Sequence, residues 1–160
     1  MAYRIVGLAP ETFAPLFDLD DTVLAARGAR RVTALADRGF PCRVSLEDAR
    51  AGEELILLQH VSHDVLTPYR SAYAIYVRAA AGRAAEYVDQ MPPVFTGRPL
   101  GLRGFDGDGN LLDARLALPG DAEPAVLALF VNPGIAYIHA HNAAHGCFAA
   151  RVDRHGELAA

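Results

Sequence analysis

Two runs of mostly alternating residues, LGLRGF at 100–105 and LLDARLAL at 111–118, flank the pentapeptide DGDGN. Asp and Gly supply the positive φ values that a tight reversal demands, so the pair reads as a β-hairpin turning at residues 106–110. A hairpin there commits the chain to antiparallel sheet rather than to a helical bundle or a parallel α/β fold. DGDGN also begins like a calcium loop. The twelfth position counted from Asp106 is Ala117 rather than a bidentate Glu, and the sixth is Leu111 rather than Gly, which excludes that reading.

Local signals along the rest of the chain agree with the hairpin. Residues 3–8 (YRIVGL) read as a first strand, and Pro10 opens a short helical turn through Phe17. Asp20 or Asp21 caps a second short helix, TVLAAR, which Gly28 stops. Strands are expected at 30–35, at 54–61 with a buried LILL run, and over SAYAIYVRA at 71–79. Ser45 followed by Asp48 has the spacing of a one-turn capping box, and RAAEYVDQM at 83–91 is expected to be a helix ending before Pro92 and Pro93. Pro124 suits the first turn of a helix running to Asn132, with Asp121 or Glu123 near its positive end. With no internal repeat and no linker, the expected fold is α+β: a mainly antiparallel sheet with a few short helices, forming a single compact domain over residues 1–160.

Composition narrows the function. A net charge of −4 argues against the phosphate-neutralising surface that nucleic-acid binding needs. All fifteen basic residues are arginine, so no lysine is available as a Schiff base or a general base. The start, MAYRIVGLAP, lacks the charge and apolar stretch of a leader, and no run approaches the roughly 18 apolar residues of a membrane helix. The expectation is a cytoplasmic protein with neither a nucleic-acid nor a membrane partner. Cys42 and Cys147 form no C-x-x-C pair and are expected to be reduced.

Reactive side chains concentrate in AYIHAHNAAHGCFAAR, residues 136–151. In a strand, Tyr137, His139 and His141 share one face. Burying the apolar faces of two strands together sets Ala140 opposite Phe148, His141 opposite Cys147 and Tyr137 opposite Arg151, with His145 at the tip of a loop over 142–146. That partly open face makes His139, His141 and Cys147 candidate metal ligands, with zinc the candidate cofactor, because strand residues two apart sit roughly 6–7 Å from each other. Equally, the histidines of such a face can simply hydrogen-bond to neighbours or water while Cys147 packs as a small apolar residue.

A second group is basic and aromatic: Arg43, Tyr69, Arg70, Tyr137 and Arg151 as candidate ligand-binding residues, with Tyr73, Tyr76 and Arg78 nearby in sequence. Arginine forks match carboxylate or phosphate, and tyrosine adds a stacking face with a polar tip. The alternative is that each arginine pairs with one of the nineteen acidic residues.

GFPCRVSLEDARAGEELILL, TPYR followed by IYVR, and HGCFAARVDR together resemble a family of uncharacterised bacterial proteins of about this length, a domain of unknown function. The order Pro-Cys-Arg, Pro-Tyr-Arg and Gly-Cys-aromatic-Ala carries the resemblance over nearly the whole chain; Ala72-Tyr73-Ala74 departs from a Gly-Pro often found there. The resemblance implies a cytoplasmic α+β domain and no particular chemistry. Without G-x-S-x-G, H-E-x-x-H, a P-loop or G-x-G-x-x-G, the expected function is noncatalytic binding of a small anionic molecule or a protein partner. The alternative is a metal-assisted enzyme, or one using Cys147 as nucleophile with His141 or His139 as base.

Overall fold

β-Branched and aromatic residues at alternating positions, punctuated by Gly, Pro and Asp, break the chain into short strands. The computed structural model describes residues 2–156. Its strands are β1 (Ala2–Val6), β2 (Arg30–Thr33), β3 (Glu54–His63), β4 (Ser71–Arg78), β5 (Glu86–Val88), β6 (Leu100–Phe105), β7 (Leu111–Ala117), β8 (Tyr137–Asn142) and β9 (Phe148–His155). Two α-helices, α1 (Asp21–Ala26) and α2 (Ala122–Phe130), and three short 3-10 helices (Pro10–Thr12, Ala14–Asp18 and Pro93–Phe95) join them. The strands form a six-stranded sheet, β5-β1-β9-β8-β6-β7, and a three-stranded sheet, β2-β3-β4. Every strand pair in both is antiparallel, so the α+β, mainly antiparallel fold with short helices is as expected.

One face of the large sheet carries Ile5, Leu100, Leu102, Ile138, Ala140 and Val152, and α2 lays Val126, Leu129 and Phe130 in the same core. Each large side chain fully buried there stabilises the fold by about 1.5–3 kcal/mol. Tyr3 joins β1 to the helix, its hydroxyl donating to Glu123 at 2.7 Å. Burial and that carboxylate push the Tyr3 phenol well above its ordinary range. The opposite face of the large sheet carries Arg103, Phe105, Tyr137, His139 and His141, and β3 and β4 lie against it.

The helix ends follow the local signals. Asp20 accepts from Val23 N at 2.8 Å as the cap of α1, and Gly28, at φ +69°, closes it with the left-handed residue that a helix stop favours. The hairpin of β6 and β7 also turns where expected, Asp106 accepting from the backbone N–H groups of Asp108 and Asn110.

Two expected elements are absent. Residues 83–91 do not form a helix; Glu86–Val88 is β5, paired with β1. A nine-residue apolar-polar mixture is ambiguous between the two periods, and the open edge of β1 decides it by offering a ladder. Ser45 and Asp48 do not begin a helix either, since Leu46 sits at φ +52°. Asp48 instead accepts from the backbone N–H groups of Gly39 and Phe40, each at 3.1 Å, and pairs with Arg98 at 2.7 Å.

The register of β8 against β9 also differs. Tyr137 lies opposite Asp153, His139 opposite Arg151 and Ala140 opposite Ala150, after which a bulge sets His141 opposite Phe148. The extra residue in β9 re-aims the side chains next to it, as bulges do.

Candidate functional site

The bulge decides which side chains meet. Phe148, expected on the apolar face, turns toward the histidines instead, with ring centroids 5.0 Å from His139 and 6.0 Å from His141. Asn142 N donates to Cys147 O at 3.0 Å, and Asn142 Nδ2 donates to Cys147 Sγ at 3.4 Å. Cys147 therefore lies beside Asn142 rather than directly opposite His141. The expected pairing of His141 with Cys147 is not formed, and the correction has a simple cause: one extra residue in β9 sets Phe148 opposite His141 instead. Among the described residues no group of three or more His, Cys, Asp or Glu side chains is placed to hold a metal ion.

Nor is the histidine face open. His139 and His141 are each 2% exposed, because β3 and β4 cover them. His63 meets His139 edge-on with ring centroids 4.8 Å apart, and Tyr73 meets His141 likewise at 4.9 Å. Burial drives His139 down to about 3 and His141 down to about 4, with the neighbouring imidazoles and arginines adding to the effect, so both rings are neutral at physiological pH. His141 Nδ1 lies 3.0 Å from Gly146 O and must donate to it, which fixes its tautomer. His139 Nδ1 is buried without a hydrogen-bond partner among the described residues. His63 donates to Tyr69 O at 2.9 Å and shares its other nitrogen with the Tyr137 hydroxyl at 2.9 Å, tying the 64–70 loop to the sheet. The layer is a packed aromatic-imidazole seam between two sheets.

A cleft of about 610 Å³ opens at one end of that seam. Arg43, Tyr73, Tyr76, Arg98, Asn142 and Cys147 are among the residues that line it. The segment bearing Arg43 is pinned on both sides, Arg43 N to Tyr76 O at 3.1 Å and Leu8 N to Arg43 O at 2.7 Å. Arg43 is 2% exposed, and its guanidinium donates to Phe148 O at 2.7 Å, to Pro41 O and to Cys147 Sγ at 3.2 Å. No carboxylate pairs with it among the described residues, whereas Arg98 beside it is matched by Asp48. Burial lowers Arg43 from its ordinary value, opposed chiefly by Cys147. Arg38, also lining the cleft, donates to Thr96 O at 2.9 Å.

The remaining sequence candidates are dispersed. Tyr69 and Arg70 line a neighbouring depression of about 390 Å³ together with Arg103, and Tyr73 borders both hollows. Arg70 is paired with Asp64 at 2.7 Å. Tyr137 is buried in the seam, with the Arg151 guanidinium 3.9 Å above its ring, and Arg151 also pairs with Asp153 at 2.8 Å. Of the five candidates only Arg43 reaches the main cleft. Sequence reasoning missed Arg38, Arg98 and Asn142, none of which carries a local signal; their meeting depends on long-range contacts such as the Arg98 to Asp48 pair.

Fold and cleft together define a two-sheet α+β domain with an arginine-lined hollow between its layers. The chain belongs to the family described as protein of unknown function (DUF1203), whose model matches residues 39–154. No curated protein and no solved structure matches it. Among the described residues no helix is long and apolar enough to cross a membrane.

Proposed function

We propose that this domain binds a small molecule bearing a carboxylate or phosphate in the cleft between its sheets, with Arg43 at the floor and Arg38 at the wall. One observation carries the reading: a guanidinium buried beside a cavity, with no carboxylate to balance it. Burying an unbalanced charge is costly, and an anion entering the cleft would relieve that cost by supplying the missing opposite charge. Tyr73 and Tyr76 supply flat faces for the apolar part of such a ligand. A bacterial cytoplasmic setting belongs to the same reading, supported by two unpaired cysteines.

The test is thermal unfolding with inorganic phosphate or succinate added at constant ionic strength. A saturable rise in Tm, following mass action, is expected. Arg43→Met should abolish it; since that change touches the core, Arg38→Gln at the cleft wall should weaken it independently. If neither anion raises Tm above a chloride control, the reading fails.

A second reading, chemistry at the Cys147 thiol, has one supporting observation: its sulfur accepts from both Arg43 and Asn142 at the cleft. Alkylation by iodoacetamide faster than that of free cysteine, and slowed by Arg43→Met, would favour it.

A further inference from the structure

The two edges of the large sheet differ. β5 is a three-residue strand followed by Pro92 and Pro93, a short edge of the kind that resists further pairing. β7 is seven residues long, without proline, and among the described residues pairs only with β6. Ala136 N donates to Phe105 O at 2.7 Å, so the odd-numbered residues of β6 turn their backbone groups toward β8. By alternation, Gly104 and Leu102 are bonded to their partners Asp113 and Arg115, and Ala114 and Leu116 turn theirs outward. The Ala114 N–H is met by the Asp113 carboxylate at 2.8 Å. Leu112 and Leu116 are 45% and 67% exposed.

The sequence of this edge is complementary to itself. Read against its own reverse about Ala114, LLDARLA sets Leu112 opposite Leu116 and Asp113 opposite Arg115. We infer that β7 is a homodimer edge, pairing antiparallel with β7 of a second copy about a two-fold axis at Ala114 to make one continuous sheet. Ala114 would then exchange its N–H and C=O with Ala114 of the second copy. Asp113 and Arg115 would fall in the non-hydrogen-bonded pairs, where Cα atoms approach to about 4.5 Å and side chains are closest. The pattern also selects the register. A shift of two residues in one direction sets Asp113 against Asp113, and in the other Arg115 against Arg115, both repulsive across a ladder. The local Asp113 to Arg115 contact, 3.9 Å long and half exposed, is loose enough to be exchanged for the intermolecular pairs.

The experiment is mass measurement by sedimentation velocity at micromolar protein. The wild-type chain should be a dimer. Asp113→Arg and Arg115→Asp should each be monomeric, since each sets like charges across the axis, with dimerisation weakened at least about tenfold. An equimolar mixture of these two variants should recover dimers, because one chain then offers only cations at both positions and the other only carboxylates. Ala114→Pro, which removes the outward N–H, should also be monomeric, and circular dichroism checks that every variant is folded. A monomeric wild type, a dimer indifferent to the charge reversals, or a mixture that stays monomeric would overturn the inference.

Discussion

Lowering the pH should unfold this protein through its seam of histidines. His139 and His141 are held at about 3 and about 4 in the fold, against 6.5 for an exposed imidazole. The unfolded chain therefore binds protons that the native state refuses. Stability is complete above about pH 6.5, falls as the pH drops below that, and stops falling for each ring only once its folded value is passed. At about pH 5 each histidine has lost roughly 2 kcal/mol, about 4 kcal/mol for the pair, a large part of a typical domain's stability. His139→Phe isolates one of the two contributions. It keeps an aromatic ring among Phe105, Tyr137, Phe148 and His63, and removes a nitrogen that has no partner among the described residues. Urea unfolding at about pH 7.5 and pH 5, with a shared m-value, should show the variant losing about 2 kcal/mol less than the wild type over that interval. The charged and polar groups that face His139, namely His63, His141, Arg103 and Arg151, are present in both proteins, so the difference between them reports His139. Equal losses in the two proteins would mean that His139 is not buried in neutral form, and the account of the seam would be wrong.

Two further outcomes are expected from the packing. Gly7→Ala should destabilise by about 3 kcal/mol or more, because its Cβ would lie 1.9 Å from Val44 O, a backbone atom that no rotamer change can clear; the urea midpoint reports this. Asp48→Ala should cost about 3 kcal/mol, since it strands the largely buried Arg98 and removes the acceptor for two backbone N–H groups; the same measurement applies, and a loss below about 1 kcal/mol would deny the pair its structural role.

Local chemistry made much of this fold legible. The Asp-Gly turn located the β6–β7 hairpin, Asp20 and Gly28 bounded α1, the apolar LILL run marked β3, and alternation marked β4 and β8. What escaped were the features decided by partners distant in sequence. β5 is a strand because β1 needed an edge partner, and Asp48 serves Gly39, Phe40 and Arg98 rather than a helix. At the site, the alternation of Tyr137, His139 and His141 held, but the bulge in β9 sent Phe148 to the histidines and Cys147 to Arg43. Nothing in a string of residues announces one extra position in a strand, and Arg43 gave no sign that it would be buried without a carboxylate.

The placement of β1 bears on how the chain reaches this state. It is the first strand in sequence, yet it lies between β5 and β9, with Ala2 opposite His155. During synthesis β1 can find β5 early, but its other edge stays unpaired until β9 has emerged. β8 likewise waits on one side for the last strand. Closing a sheet across nearly the whole chain is slow, and the wait leaves two apolar strand edges open to other chains. Refolding from denaturant should accordingly be limited by the docking of β9, and the yield should fall as protein concentration rises.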